Sequence, residues 1–383
     1  MLEINLNDFP DDVYILLNDS FRADFFKTSW KVNQSYRHLA KKLGVSNTTM
    51  LSWRRGKSCS KLKQFCSIGI IKKIFELSKN SEKWKFIYRD IERNIESYRA
   101  IHGILKVNNP ILPIKDSISL RSVYTHLLCD GTAQNIKSRT CKYDNKIKEA
   151  VEEFKDELSC FGNLFKEGIS KVWNKERNYF MYKYSFPKAI AKILLNKFKI
   201  SFDWAHGRIP KEFFKGDRKL RVAIVRAFLI DEGGIIDTEV YFTSGNPNLL
   251  KDLLKICNSL EYKCLKIKKT NNVYQLYLSS KSYLKIYTDI INIGKLPIKD
   301  KQERLELGHK LINNKFDFSK LNKKILKELS NNPMTLTELS KELIIGRKIL
   351  WKYMNKLKER NLVESKSKRT GKGGAHIWRL NKH

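Results

Sequence analysis

Acidic side chains are scarce in this chain. Asp and Glu number 40 against 75 Lys and Arg, a formal net charge of +35. A folded protein this basic repels itself unless a polyanion screens it. Nucleic acid fits that requirement, because each phosphate contact also releases condensed counterions. A Lys- and Ile-rich genome would raise Lys as well, but it would raise Glu alongside, and here the acids lag. Paired cysteines are also missing: none of the seven forms a CxxC. Their spacings match neither a zinc module nor a disulfide framework, so they read as reduced, half-buried thiols of a cytosolic protein. No apolar run approaches bilayer-spanning length, so no membrane partner is expected. The opening LEINLNDFPDD is acidic and mixed, unlike a signal peptide. The basic stretch KSKRTGKGG lacks the GK[ST] ending and the following helix of a phosphate-binding loop. A cytoplasmic, nucleoid-associated protein is therefore expected.

The chain is 383 residues long and 42% apolar. That is enough to build true cores and suggests two to four domains. Near the start, SYRHLAKKLGVSNTTMLSWRRGK (35–57) places Leu39, Ala40 and Leu43 at helical spacing. Gly44 can end that helix in the left-handed conformation, and Ser46 can cap a second one. The second helix is expected to bury Val45, Met50 and Trp53 and to stop at Gly56. The segment resembles the phage-repressor type of helix-turn-helix, whose signature reads roughly LAxxLGVSxxTxxxWxxG. That resemblance implies that Ser46, Asn47, Thr48 and Ser52 are exposed readers of base edges, Asn47 suiting adenine. It places Arg54, Arg55 and Lys57 near phosphates. Residues 61–106 look helical, and VNNPILPIKD (107–116) reads as a linker.

Two segments then repeat. LRSVYTHLLCDG (120–131) and LRVAIVRAFLIDEG (220–233) are each an apolar helical run ending in an acid followed by glycine, and Asp130 and Glu232 lie 102 residues apart. The second run is apolar nearly all round, so its helix should be buried on every side. After each acid-glycine pair the pattern continues alike. In the second copy a strand pair leads to a helix capped near Asn246, and then to a hairpin turning at Asn271 and Asn272. Each copy reads helix, two strands, helix, strands, helix, an internal α/β repeat.

VYTHLLCDG and VRAFLIDEG resemble the LAGLIDADG motif of homing endonucleases, and the likeness extends over roughly residues 116–312. It implies an α+β fold: two pseudo-symmetric αββαββα halves (116–216 and 217–312), their motif helices packed together and each half offering a curved sheet to double-stranded DNA. It also implies that Asp130 and Glu232 are the catalytic and Mg²⁺-binding carboxylates, since hard divalent cations want carboxylate and phosphate oxygens. Gly131 and Gly233 are the motif glycines, where the chain turns tightly. Two halves in one chain imply a monomer. The first motif departs from the pattern at Thr125, where a small residue is usual, and at Leu128, where Asp is common.

The C-terminal stretch 316–383 reads as three helices and a hairpin, with Thr335 or Thr337 capping the second helix and Glu338 placed for a capping box. Ile349, Leu350, Tyr353, Met354 and Leu357 should share one face of the third helix. The pattern resembles a winged helix. That implies Arg347, Lys348 and Lys352 toward DNA in the major groove, with Lys368, Arg369 and Lys372 of the wing on phosphate or minor groove; a protein-binding winged domain is the alternative. The expected organisation is thus an N-terminal helical domain (1–106), the two-motif core (116–312) and the winged helix (316–383). Two functions fit: a site-specific, Mg²⁺-dependent double-strand endonuclease, or a catalytically inactive DNA-binding transcriptional regulator on the same scaffold. The splice-junction residues and self-splicing blocks of an intein are absent.

Overall fold

The computed structural model describes residues 2–55, 65–132, 139–164, 168–175, 178–313, 320–368 and 375–381. The chain begins with β1 (Glu3–Ile4), β2 (Val13–Leu17), α1 (Asp19–Val32), α2 (Tyr36–Leu43) and α3 (Asn47–Arg55). There follow β3 (Cys66–Ser67), α4 (Ile68–Ser78), α5 (Tyr88–Arg93), β4 (Ile95–Ala100), β5 (Val107–Asn108) and β6 (Ile114–Lys115). Val13, Ile15 and Leu17 alternate inward along β2, the period of a half-buried strand. The stretch expected to be helical to residue 106 divides instead. The helix α5 ends at Arg93, and Ile95–Ala100 forms a strand antiparallel to β2. Pairing against an apolar strand outweighs the local helical pattern there. The expected linker supplies β5, which pairs with β4, and β6, which pairs with β1.

The repeat continues with α6 (Ile118–Cys129), β7 (Gly131–Thr132), β8 (Cys141–Asn145), α7 (Lys148–Glu157), β9 (Asn163–Leu164), β10 (Ser170–Asn174), β11 (Tyr179–Phe186) and α8 (Lys188–Phe198). β9 extends the N-terminal sheet by pairing with β5. The second copy comprises α9 (Arg218–Asp231), β12 (Gly233–Ile236), β13 (Glu239–Ser244), α10 (Pro247–Ser259), β14 (Lys268–Thr270), β15 (Val273–Leu278), α11 (Tyr283–Ile293) and α12 (Lys299–Asn313). The sheets run β10-β11-β8-β7 and β12-β13-β15-β14. Labelled a to d in chain order within each copy, both sheets have the order a-b-d-c. With β9, which joins the N-terminal sheet, and the final helix α12 set aside, the repeat read from sequence is a repeat of topology, αββαββα in each copy. The winged helix comprises α13 (Leu321–Asn331), β16 (Met334–Thr335), α14 (Leu336–Leu343), α15 (Arg347–Glu359), β17 (Val363–Lys368) and β18 (Ala375–Leu380). Thr335 caps α14, with Glu338 closing the box.

The chain partitions into two compact units, Met1–Asp231 with Ser244–Ile256, and Glu232–Thr243 with Cys257–His383. In the first, α6 and α9 pack against each other. Every residue of α9 from Val222 to Ile230 is buried, Arg226 included. Asn246 accepts hydrogen bonds from the Asn248 and Leu249 amides and so caps α10, with Pro247 at the first helical position. In the second unit, Leu276, Leu278, Ile286, Ile290 and Leu305 are buried. The winged helix closes on Leu321, Ile325, Leu329, Leu339, Leu350, Met354, Leu357 and Trp378. Asn271, in the left-handed conformation, turns β14 into β15. Among the described residues no helix is long and apolar enough to cross a membrane.

Candidate active site and nucleic-acid interface

Ser117 caps α6 by accepting the Leu120 amide at 3.1 Å, and the helix ends at Asp130 in the C-cap position. Asp130 is half-buried, and the Asn145 amide of β8 lies 3.4 Å from its Oδ2. Gly131 follows at the start of β7, where a Cβ would stand 2.6 Å from Leu127 Cα and 2.8 Å from its carbonyl oxygen. The glycine is therefore required by close backbone approach. Gly131→Ala is expected to cost about 1–3 kcal/mol through overpacking against a helix that cannot retreat. Thermal unfolding would register this, and an unchanged Tm would show that the turn relaxes freely. Thr125, fully buried, donates its hydroxyl to the Arg121 carbonyl at 2.8 Å. The larger residue is thus satisfied within its own helix. Glu232 begins the second unit just past α9. Its carbonyl accepts the Thr243 amide at 2.9 Å and the Thr243 hydroxyl at 3.1 Å. Gly233 then pairs with Phe242 in β12–β13.

Beneath the first acid lies a buried polar cluster that the sequence reading missed. His126 of α6 sits with Nδ1 2.8 Å from Asp231 Oδ2, their side chains 1% and 0% exposed. Tyr143 donates to the other Asp231 oxygen at 2.6 Å. On the far side His126 Nε2 faces Glu157 Oε2 at 3.6 Å. Glu153, one turn earlier on α7, is held by both terminal nitrogens of Arg226, Nη2 at 2.9 Å. Burial pulls the His126 pKa down, but Asp231 above all, then Glu157 and Glu153, outweigh it and raise it to about 9. Burial pushes the Glu157 carboxyl up to about 7 against the pull of His126. Burial, then the Asp231 charge, lifts the Tyr143 hydroxyl well above its usual range, so it remains a donor.

In the N-terminal region Gly44, at φ +70°, ends α2, and Ser46 caps α3 by accepting the Thr49 amide at 3.0 Å. Ser46, Asn47 and Thr48 are exposed, as are Arg54 and Arg55. The Arg54 guanidinium stacks 4.9 Å over the Trp30 ring. Ser52 corrects the expectation of an exposed reader. It is 9% exposed and donates to the Thr49 carbonyl. Spaced three and six residues after Ser46, Thr49 and Ser52 turn with it toward a cleft of about 650 Å³ lined by Tyr14 and Ile70. Met50 and Trp53 are buried as expected and Val45 is half-buried. Gly56 and Lys57 lie outside the described residues.

In the second unit two expected DNA contacts face acids of their own chain. Arg347 Nε lies 3.4 Å from Asp237 Oδ1, and Lys348 Nζ lies 2.8 Å from Glu239 Oε1. The Lys348 amide is 3.4 Å from Asp237 Oδ2. Gly346, the N-cap of α15, offers no capping side chain, and Asp237 takes that place at the positive end of the helix. Asp237 itself adopts φ +53° in the β12–β13 turn. Beside this contact is a cavity of about 550 Å³ lined by Ile236, Leu284, Ile312, Ile344 and Ile349. Ile349, expected to be packed, is 39% exposed, while Tyr353 is half-buried. Lys352 is exposed. Lys368 ends β17 opposite Ala375, and Arg369 and Lys372 fall outside the described residues.

Exposed basic and aromatic side chains that sequence reasoning did not single out lie on both repeat sheets. Lys171, Trp173 and Phe180 are exposed on β10–β11, the Lys171 ammonium 4.4 Å over the Phe180 ring. Lys268 and Lys269 are exposed on β14. The signal for the first group was the alternation in SKVWN, where Lys and Trp recur at period two.

A family model described as "Bacterial regulatory protein, arsR family" matches residues 321–365, from α13 into β17. No curated protein matches the chain. Similar solved structures include the homing endonuclease I-WcaI bound to its DNA recognition sequence, with 14% identity, 49% of this chain and 85% of that one covered, and a TM-score of 0.36. I-DmoI in complex with DNA and Ca gives 15%, 51%, 100% and 0.35 in the same order. The N-terminal LAGLIDADG domain of DUF199/WhiA gives 12%, 47%, 86% and 0.32.

Proposed function

We propose that this chain binds double-stranded DNA and cuts both strands at a specific site, as a monomeric two-motif LAGLIDADG endonuclease using Mg²⁺. The observation that carries the reading is the repeat itself: two copies of one αββαββα topology, each with a carboxylate directly after its first helix, at Asp130 and at Glu232. Both acids occupy the negative end of a helix dipole, which favours a cation, and carboxylate oxygens suit a hard divalent ion. The residues present therefore fit Mg²⁺. When bound, it would polarise a phosphoryl oxygen and lower the pKa of attacking water. The chain's own share is to bind and orient. Asn145 steadies the Asp130 carboxylate, and the exposed Lys171, Lys268 and Lys269 supply phosphate contacts on the two sheets.

The region 1–106, with its helix-turn-helix at 35–57, and the winged helix at 316–383 lengthen the site recognised by a 116–312 core. A nucleoid-associated, cytoplasmic location follows from that reading. A second reading, a DNA-binding regulator that does not cut, is favoured by one observation: residues 321–365 match a regulatory-protein model. Incubation of the purified chain with a genomic or randomised DNA library and Mg²⁺, followed by sequencing of ends, separates the two. Discrete double-strand ends support the nuclease; tight, salt-sensitive binding with no ends under Mg²⁺ or Mn²⁺ leaves the regulator.

The acids that hold Arg347 and Lys348 compete with phosphate in either reading. Asp237→Asn with Glu239→Gln removes two negative charges while keeping a residue type that tolerates the left-handed turn at 237. The expected result is tighter DNA binding, by up to about tenfold at low salt, the gain shrinking as salt screens it. Equal or weaker affinity in a binding titration would mean that α15 does not meet DNA through these side chains.

A further inference from the structure

The polar cluster between α6, α7 and α9 has more negative than positive charge. Asp231, Glu153 and Glu157 supply three carboxylates and Arg226 one cation, so before any proton is placed on His126 or Glu157 the group is short by two positive charges. Burial makes an uncompensated charge of that size untenable. One divalent ion or two protons would offset it, and the geometry distinguishes them.

His126 Nε2 and Glu157 Oε2 are both buried without a hydrogen-bond partner, although they face each other. Their separation of 3.6 Å exceeds the reach of a hydrogen bond. Two ligands held by one ion at about 2.0–2.1 Å each, at a tetrahedral angle, stand roughly 3.4 Å apart. The other face of the imidazole points the same way: Asp231 accepts from Nδ1 at 2.8 Å, which fixes the tautomer and presents the Nε2 lone pair. A carboxylate behind a histidine is the usual support of a metal-bound imidazole. The ligand atoms of His126, Glu153 and Glu157 lie within 4.8 Å of one another. Arg226 donates to both Glu153 oxygens, leaving each a further lone pair, and the Ser122 hydroxyl also bonds Glu157.

We infer that His126, Glu157 and Glu153 form a binding site for one transition-metal dication of the zinc type, which ties α6 to α7 and, through Asp231, to α9. An imidazole with carboxylates suits zinc better than magnesium, so the site differs in chemistry from the Asp130 and Glu232 pair and does not depend on it.

The test uses the full chain carrying Asp130→Asn and Glu232→Gln, so that the proposed Mg²⁺ ligands cannot contribute. The protein is dialysed against micromolar Zn²⁺ and its metal content measured, with Co²⁺ substituted in parallel for its visible spectrum. One retained equivalent is expected, with Tm rising by roughly 5 °C or more on Zn²⁺ addition. Adding Glu157→Gln, which preserves shape, should weaken retention at least tenfold and abolish the Tm rise. His126→Gln should do the same, provided circular dichroism shows it folded. Folded protein that retains no zinc overturns the site and leaves a proton-filled cluster. Equal retention by the Glu157→Gln chain also overturns it. So does a thiolate charge-transfer band in the cobalt spectrum, which would assign the metal to cysteines.

Discussion

Asp130→Asn is expected to abolish cutting while leaving DNA binding intact. The substitution keeps the shape of the C-cap side chain and its contact with Asn145, and removes one negative charge that a divalent ion needs. Charge stabilisation by a catalytic metal contributes several kcal/mol to the transition state. At about 1.4 kcal/mol per tenfold, the cleavage rate should fall roughly a thousandfold or more. Glu232→Gln should do likewise. Affinity for uncut target, measured without metal, should hold or rise slightly, because a negative charge has left a surface that approaches phosphate. The split between rate and affinity carries the argument. A variant that cuts within tenfold of the parent would remove Asp130 from the chemistry. Equal loss of cutting and binding would mean that the residue serves the fold.

What could be read from sequence was what is decided locally. Asn246 before Pro247, Thr335 three residues before Glu338 and Asn271 at a hairpin turn each act within a few residues of themselves, and the structure places each in its expected role. The second motif helix was legible because a run apolar all round can only be buried. What escaped depends on distant partners. His126 is an unremarkable polar residue on an apolar helix until Asp231, Tyr143 and Glu157 arrive from other elements. Ser52 lies on the buried side of α3 because of the strand and helix that close the cleft beside it. Ile95–Ala100 carries helical spacing but is claimed by β2. Arg347 and Lys348 look like free cations in the sequence, and nothing local to α15 announces that Asp237 and Glu239 will meet them.

The same contrast gives the largest expected effect on stability. Each motif opens with Leu-Arg, yet the two arginines have different surroundings. Arg121 is fully buried and donates to both Asp116 oxygens, at 2.8 and 2.7 Å, and to the carbonyls of Phe213 and Lys215, at 2.8 Å each. Gly216, at φ +98°, leaves room for it: a Cβ there would stand 2.8 Å from Arg121 Nη2. One side chain thus fastens the start of α6 to the segment that leads into α9. Arg221, its counterpart, is only half-buried, and its Nε reaches the Asp217 carbonyl at 3.5 Å. Arg121→Met would strand a buried carboxylate and two carbonyls, and removing one partner of a buried pair costs about 3–5 kcal/mol. For a chain of this size that lowers Tm by roughly 10 °C. Arg221→Met, at a half-buried side chain, should cost clearly less than Arg121→Met. Thermal melts of the two variants side by side decide the matter. Equal losses would mean that the shared dipeptide, and not the buried ion pair, sets the strength of the motif helices; a large loss confined to Arg121→Met would assign it to the pair with Asp116.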